Sequence, residues 1–179
     1  AETAADHYDE SDDPSTGFLY GSIAYLNGDL YFFSDAEDCV LLRKPLSGGP
    51  SVELGTVDTE MLMDETTGVG YHVSSVFLLA WKEQLYLLNP YNGRWYSLLN
   101  DQGEMELKEQ SVRLDMDVMM EKDEDYSYPM STNARFVMDD WLYFVGTTYS
   151  GGESKTCFGR IPLTGGASQL FEVPHVTGA

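Results

Sequence analysis

The residues best suited to chemistry in this sequence are carboxylates and aromatic rings in its polar segments. Aromatic rings beside carboxylates suit contact with a sugar, a cationic group or a peptide. The candidates for such contacts are Asp35, Glu37, Asp38, Tyr71, His72, Tyr91, Trp95, Tyr126, Tyr128 and Tyr149. The alternative interpretation is that the acidic residues only keep exposed loops solvated.

Two acidic segments carry the hard oxygen ligands that Ca²⁺ prefers. Asp115 and Asp117 are separated by one residue, and 123–125 is an uninterrupted acidic run. Neither segment has the Asp-x-Asp-x-Asp-Gly pattern of a calcium loop. We therefore expect no cofactor, and calcium is the one metal that these residues could bind.

No motif in the sequence predicts catalysis. The adjacent carboxylates of Asp139-Asp140 align with Asn27-Gly28, which is a strong signal for a two-residue hairpin turn. The Gly-Gly pairs at 48–49 and 165–166 lack the Lys-Ser/Thr of a phosphate loop, and no Gly-x-Ser-x-Gly elbow is present. His72 alone forms neither a zinc site nor a catalytic triad. We therefore expect a non-catalytic protein.

The charge of the chain excludes two classes of partner. The 179 residues include 30 Asp+Glu and 10 Lys+Arg, which gives a formal net charge of −20. Binding to nucleic acid or to anionic lipid requires clustered Lys and Arg, so neither is expected. The longest apolar run, 76–81, cannot insert into a membrane, because a spanning helix needs about 20 residues. A hydrophobic content of 42% nevertheless predicts a folded core.

An internal repeat predicts the elements that position these residues. The segments 23–32, 78–87 and 135–144 align without gaps and share a Leu-Tyr pair, and 43–51 aligns with 160–168 through Pro and Gly-Gly. The residue pattern of each repeat predicts four strands joined by turns. The expected strands are at about 20–26, 29–33, 39–46 and 50–55, at about 74–81, 84–88, 94–99 and 104–108, and at about 133–138, 141–146, 156–163 and 167–173.

The second strand of each repeat predicts how the sheets pack. Its alternate residues point to opposite faces, and both faces are apolar, as in Leu30/Phe32 against Tyr31/Phe33. Such a strand must be covered on both faces, and burial of one side chain contributes about 1.5–3 kcal/mol. The expected fold is all-β, with three consecutive four-stranded antiparallel repeats that stack like β-propeller blades. The domains are an acidic flexible tail at 1–16 and a β-repeat domain at 17–179, with repeats at about 18–58, 70–114 and 131–176.

The repeat pattern of an apolar run, Asn/Asp-Gly/Asp, Leu-Tyr-Phe and Arg-x-Pro-Leu-x-Gly-Gly resembles a known family. It is similar to repeats in bacterial extracytoplasmic β-propellers of unknown function, which distantly resemble the propeller repeats of low-density-lipoprotein receptors. The resemblance covers about 18–176 and implies an exported or surface-anchored binding or scaffold module without a shared catalytic set. Three repeats are fewer than the four to eight of closed propellers.

Three stacked repeats leave open faces and edges, which are an aggregation liability. The chain could be part of a longer protein, a second copy could complete a six-bladed ring as a homodimer, or the long connectors could cover the ends. Repulsion between two chains of charge −20 opposes the dimer, although salt screens it beyond about 8–10 Å.

Strand alternation places the long loops at one end of the sheets. These are 34–38, 89–93 and 147–155 within repeats and 56–72 and 110–131 between them, and they carry most of the candidates. We therefore expect a non-catalytic extracytoplasmic module that presents an acidic, aromatic loop face to a protein, peptide or glycan. The alternatives are a carbohydrate-active hydrolase with paired carboxylates in a central channel, which the apolar first strands disfavour, and a spacer or sensor domain without a small ligand.

The two cysteines are expected to be free. Alignment of the repeats places Cys39 and Cys157 one register apart, on opposite sheet faces of repeats that are not adjacent. A disulfide between them is therefore disfavoured, and buried thiols that act as small hydrophobic groups are expected.

Overall fold

The computed structural model describes residues 23–34, 39–57, 76–122, 127–150 and 153–172. These residues form 14 strands and one short 3₁₀ helix at Asp117–Met119, with no α-helix among them. The chain is therefore all-β, as its repeats predict. Strands are favoured because aromatic and branched residues dominate the segments between the turns.

Twelve of these strands form three antiparallel four-stranded sheets, in which the strands follow one another in chain order. Sheet 1 contains β1 (Ile23–Leu26), β2 (Asp29–Phe33), β3 (Val40–Pro45) and β4 (Val52–Thr56). Sheet 2 contains β5 (Phe77–Trp81), β6 (Gln84–Leu88), β7 (Trp95–Leu99) and β8 (Met105–Glu109). A hairpin of β9 (Met120–Lys122) and β10 (Ser127–Pro129) follows. Sheet 3 contains β11 (Ser131–Met138), β12 (Trp141–Ser150), β13 (Glu153–Pro162) and β14 (Gln169–Glu172).

The three sheets confirm the predicted fold class of three consecutive four-stranded antiparallel repeats. The registers repeat as well, since the aligned tyrosines of β2, β6 and β12 face equivalent residues on the preceding strand. The pairs are Ala24 with Tyr31, Leu79 with Tyr86, and Phe136 with Tyr143. Sequence alignment and strand register therefore agree.

The sequence predicts a loop at 147–155, but this prediction is wrong because strands occupy both ends of that range. β12 and β13 are ten residues long, and their pairing continues from Gly146 with Cys157 to Ser150 with Glu153. The residues 147–149 are Thr, Thr and Tyr, which favour extended backbone, so the ladder runs on where a loop was expected. The β9–β10 hairpin within the second connector was also not predicted.

Two hydrophobic cores separate the sheets. Core 1 lies between sheets 1 and 2, and core 2 lies between sheets 2 and 3. Sheet 2 contributes Leu85 and Leu87 to core 1 and Leu88 and Trp95 to core 2. Its second strand is therefore covered on both faces, as predicted from the apolar residues on both sides.

The connector after β8 completes core 2. Leu114, Met116 and Met119 insert their side chains between sheets 2 and 3. The amide of Leu114 donates a hydrogen bond of 2.9 Å to the carbonyl of Gly93, and a Cβ at Gly93 would collide with the Leu114 backbone. This close approach of two backbones requires glycine at position 93.

Both cysteines are free and buried, as predicted, and they lie in different cores. Cys39 belongs to core 1 and Cys157 to core 2, where its Sγ lies 3.3 Å from the Sδ of Met130. Burial raises the pKa of the Cys157 thiol above its ordinary value. Both side chains therefore pack as apolar groups.

A two-residue turn with positive φ at its first position joins the first two strands of all three sheets. Asn27, Lys82 and Asp139 occupy its first position with φ of 52°, 48° and 53°, which matches a primed hairpin turn. The adjacent residues Asp139-Asp140 therefore form a turn, as predicted.

Candidate binding surface

The outer face of sheet 3 carries a continuous set of apolar and aromatic side chains. Alternation along the strands separates it from the inner face, where Leu142 and Phe144 enter core 2. The outward residues, which we name the aromatic face, are Phe136, Met138, Trp141, Tyr143, Val145, Phe158, Arg160 and Phe171. No described sheet packs on this face.

Four rings form a row across the aromatic face, one from each strand of sheet 3. The ring centroids of Phe136 and Tyr143 are 5.2 Å apart with planes 10° from parallel. The Tyr143–Phe158 pair is 5.9 Å apart at 18°, and the Phe158–Phe171 pair is 5.6 Å apart at 30°. Each such pair contributes about 0.5–1.5 kcal/mol beyond the burial of its area. The row therefore holds these side chains in one fixed arrangement.

The ends of this row are open to solvent. Phe136 is 48% exposed, Phe171 is 41% exposed, and Met138 beside them is 51% exposed. Contiguous exposed apolar surface on a soluble protein marks a site of interaction. The aromatic face therefore has the character of a binding surface.

The charged group of the aromatic face is a cation. The guanidinium of Arg160 lies 4.1 Å from the ring centroid of Trp141 and 5.7 Å from that of Phe171, and its Nε donates a hydrogen bond of 2.9 Å to Gln169 Oε1. Arginine and aromatic residues are enriched in the hot spots of protein interfaces, and a guanidinium over an aromatic ring is a favourable cation–π contact. This surface is therefore apolar and cationic.

Most of the predicted candidates are not placed by the structure. Six of them lie outside the described residues: Asp35, Glu37, Asp38, Tyr71, His72 and Tyr126. Tyr128 lies in β10 and Tyr149 in β12, and the structure describes only their backbone. The acidic, aromatic loop face therefore stays a prediction.

Two candidates are placed beside one loop of sheet 2. The amide of Tyr91 donates a hydrogen bond of 2.9 Å to Asn89 Oδ1, which closes a tight turn, and its side chain is half-buried. The expectation that Trp95 contacts a partner is wrong because the residue is buried in core 2. Its ring lies 4.7 Å from that of Tyr86, and its indole Nε1 donates a hydrogen bond of 2.7 Å to the carbonyl of Val112.

Asp115 of the proposed calcium pair is a structural residue. Its Oδ2 accepts hydrogen bonds of 2.8 Å from both the amide and the hydroxyl of Ser168, and its Oδ1 accepts one of 3.1 Å from the amide of Asp117. The bond from the Ser168 amide is the main reason why the pKa of Asp115 is lowered. Among the described residues no three His, Cys, Asp or Glu side chains are arranged to hold a metal, and the acidic run at 123–125 lies outside them.

A groove lies where the first strands of the three sheets converge. It has a volume of about 520 Å³ and is lined by residues of β1, β5 and β11, which include Tyr25, Leu78 and Arg135. The Arg135 guanidinium lies 3.9 Å from the ring centroid of Phe77, and burial lowers its pKa to about 10. No carboxylate is among the described residues that line the groove, so the arrangement needed for paired-carboxylate hydrolysis is not assembled there.

Comparison with known proteins gives no match to a family model, to a curated protein or to a solved structure. Within the described residues, no helix has the length and apolar character required to span a membrane. The aromatic face is therefore identified as a candidate binding surface from its geometry alone.

Proposed function

We propose that this protein is a non-catalytic binding or scaffold module that engages a protein partner through its aromatic face. The observation that carries the proposal is the row of four stacked rings across sheet 3, whose ends Phe136 and Phe171 are exposed. The resemblance of the repeats to extracytoplasmic propellers supports a location outside the cytoplasm, in a secreted or surface-anchored bacterial protein.

The chemistry of the aromatic face favours binding over catalysis. Its described groups are aromatic rings, the Met138 thioether and the Arg160 guanidinium. These groups bind by apolar contact, by cation–π attraction and by charge, and the face carries no histidine or carboxylate among its named residues.

The orientation of the rings favours a protein partner over a glycan. Phe136 and Tyr143 are nearly parallel, with centroids 5.2 Å apart, which is too close for two rings that lie side by side flat on the sheet. Their faces are therefore turned toward each other, and their edges point outward. A sugar stacks on an open ring face, whereas ring edges pack well into an apolar protein surface.

A double variant tests the proposal. Phe136→Glu/Phe171→Glu places two charges on the aromatic face, and Leu46→Glu makes the same change at an exposed turn of sheet 1. Proteins that bind to the immobilised parent chain would be isolated and purified. Calorimetry would then measure the affinity of each for the parent chain, for the double variant and for Leu46→Glu. We expect the double variant to weaken binding by at least about 30-fold and Leu46→Glu to leave it unchanged.

Two results would overturn this function. Equal binding by the parent chain and the double variant would remove the aromatic face from the interaction. Binding on a glycan array that the double variant abolishes would show that the face recognises sugars. Circular dichroism of both variants establishes that any loss of binding does not arise from unfolding.

A further inference from the structure

We propose that the groove between β1, β5 and β11 binds a small organic anion that has one carboxylate and an apolar body. This site goes beyond the proposed function, which concerns a protein partner of the aromatic face. It is carried by one guanidinium, that of Arg135, which is held in place on the wall of an apolar groove.

The groove lies along the edges of the three sheets. β1, β5 and β11 come first in the strand order of their sheets, so each has one neighbouring strand within the described sheets. The space that these strands enclose has a volume of about 520 Å³. Binding sites for small molecules have volumes of about 300–1,000 Å³. The groove therefore has the size of a small-molecule site.

The walls of the groove are mostly apolar. They include Leu78 and Ala80 of β5, Val137 of β11, and Ile23 and Tyr25 of β1. Ile23 is 51% exposed and Tyr25 is 60% exposed, so the wall along β1 is open to solvent. A ligand with an apolar body would remove this surface from water, and that burial favours binding.

A single charged side chain, Arg135, is among the described residues that line the groove. Its guanidinium lies 3.9 Å from the ring centroid of Phe77 in sheet 2, and its Nη1 donates a hydrogen bond of 3.2 Å to Thr132 Oγ1 in sheet 3. Burial lowers its pKa to about 10, so the group keeps its positive charge near neutral pH. The groove therefore presents a fixed cation in apolar surroundings.

A carboxylate is the group that suits this cation. The planar guanidinium matches the two oxygens of a carboxylate, and this attraction strengthens where water is excluded. The chain carries a net charge of −20, which repels anions at long range. A singly charged ligand meets less of this repulsion than a doubly charged phosphate does. The apolar body then supplies the remaining attraction through the groove walls.

Calorimetry with octanoate tests the site. Octanamide has the same apolar chain without the charge, so we expect the parent chain to bind octanoate at least about tenfold more tightly than octanamide. Arg135→Gln should weaken octanoate binding by at least about tenfold. Arg135→Lys keeps the charge without the planar group, so it should recover part of that loss.

The matched control is Arg160→Gln. The Arg160 guanidinium also lies over an aromatic ring, at 4.1 Å from the Trp141 ring centroid, but it belongs to the aromatic face and does not line the groove. Arg160→Gln should therefore leave octanoate binding unchanged. This control separates the groove from the other cation that lies among aromatic rings.

Tyr25→Ala tests the apolar wall. It removes an exposed ring from the groove, so it should weaken octanoate and octanamide by a similar factor of at least about threefold. Circular dichroism establishes that each variant is folded. If Arg135→Gln does not fold, Tyr25→Ala and the comparison of octanoate with octanamide on the parent chain still test the site.

Three results would overturn the inference. Absence of octanoate binding by the parent chain, or equal affinity for octanoate and octanamide, would show that the groove does not recognise a carboxylate. A folded Arg135→Gln chain that binds octanoate like the parent would remove Arg135 from the site. Loss of octanoate binding in Arg160→Gln would place the anion on the aromatic face. The proposed function fails on a different result, the retention of a protein partner by Phe136→Glu/Phe171→Glu.

Discussion

The Oδ1 of Asp140 accepts a hydrogen bond of 3.1 Å from the indole Nε1 of Trp81, 59 residues earlier in the chain. The same oxygen lies 3.1 Å from the Nζ of Lys82, whose ammonium stands 4.2 Å from the Trp81 ring centroid. Asp140 belongs to the first turn of sheet 3, Lys82 occupies the first turn of sheet 2, and Trp81 directly precedes that turn. The contact therefore ties together equivalent turns of neighbouring sheets.

Asp140→Asn should lower the melting temperature at neutral pH and low salt. Lys82 is the main cause of the lowered pKa of Asp140, followed by the hydrogen bond from Trp81. A lowered folded-state pKa stabilises the fold above the ordinary value of 3.8 and loses that effect as pH falls through the folded value. Melting curves at pH 7 should separate parent and variant, and those at pH 2.5 should converge. A difference that persists at low pH or in 1 M salt would contradict the ion pair.

Asp115→Asn should destabilise the protein by about 1–2 kcal/mol, because hydrogen bonds to its partly exposed carboxylate from Ser168 are weakened. Its pKa is also lowered, so the loss should be full above the ordinary value of 3.8 and should decline below it. Urea denaturation of Asp115→Asn measures the effect, and Asp117→Asn is the control in an exposed neighbour. An equal effect of both variants would show that only net charge matters.

Gly159→Ala should destabilise the protein by about 1–3 kcal/mol through overpacking. A Cβ at Gly159 would collide with the Phe144 ring, which is fully buried in core 2. The cost should be smaller in a Phe144→Leu background, because the shorter side chain leaves room for the added methyl group. Denaturant titrations of both single variants and the double variant give this coupling, and strictly additive losses would contradict the packing of this pair.

The two thiols should be unreactive in the native protein and reactive after unfolding. Both Cys39 and Cys157 are buried and free, and burial raises the pKa of Cys157, which reduces its thiolate fraction near pH 8. A thiol assay with a disulfide reagent should detect neither thiol in buffer and both in denaturant. If neither thiol reacted after denaturation, the two cysteines would have to form a disulfide. That result would contradict the placement of Cys39 in core 1 and Cys157 in core 2.

The fold could be predicted from the sequence because its signals are local and repeated. The Leu-Tyr pairs identify the second strands, and Asn27-Gly28 identifies a two-residue turn. Turns at the same place in the other two sheets share its positive φ at the first position. Residue type and chain spacing determine both features, so no knowledge of tertiary contacts is needed.

The binding surface could not be predicted because exposure depends on which neighbour each sheet has. Tyr31, Tyr86 and Tyr143 are the same residue in the aligned repeats. Tyr31 is buried in core 1, Tyr86 is half-buried beside core 2, and Tyr143 lies in the open row of sheet 3. Trp95 shows the converse, since a residue assigned to a loop surface is buried by a connector whose path the sequence does not reveal.

Sheet 2 contributes to both cores, whereas sheets 1 and 3 each contribute to one. Such an arrangement behaves thermodynamically as a short linear array, in which the stability of each unit depends on its nearest neighbours. Loss of an end sheet breaks one interface, while loss of the middle sheet breaks two. Partial unfolding should therefore begin at the ends, and hydrogen exchange should be slowest for the backbone amides of β6 and β7, the central strands of sheet 2.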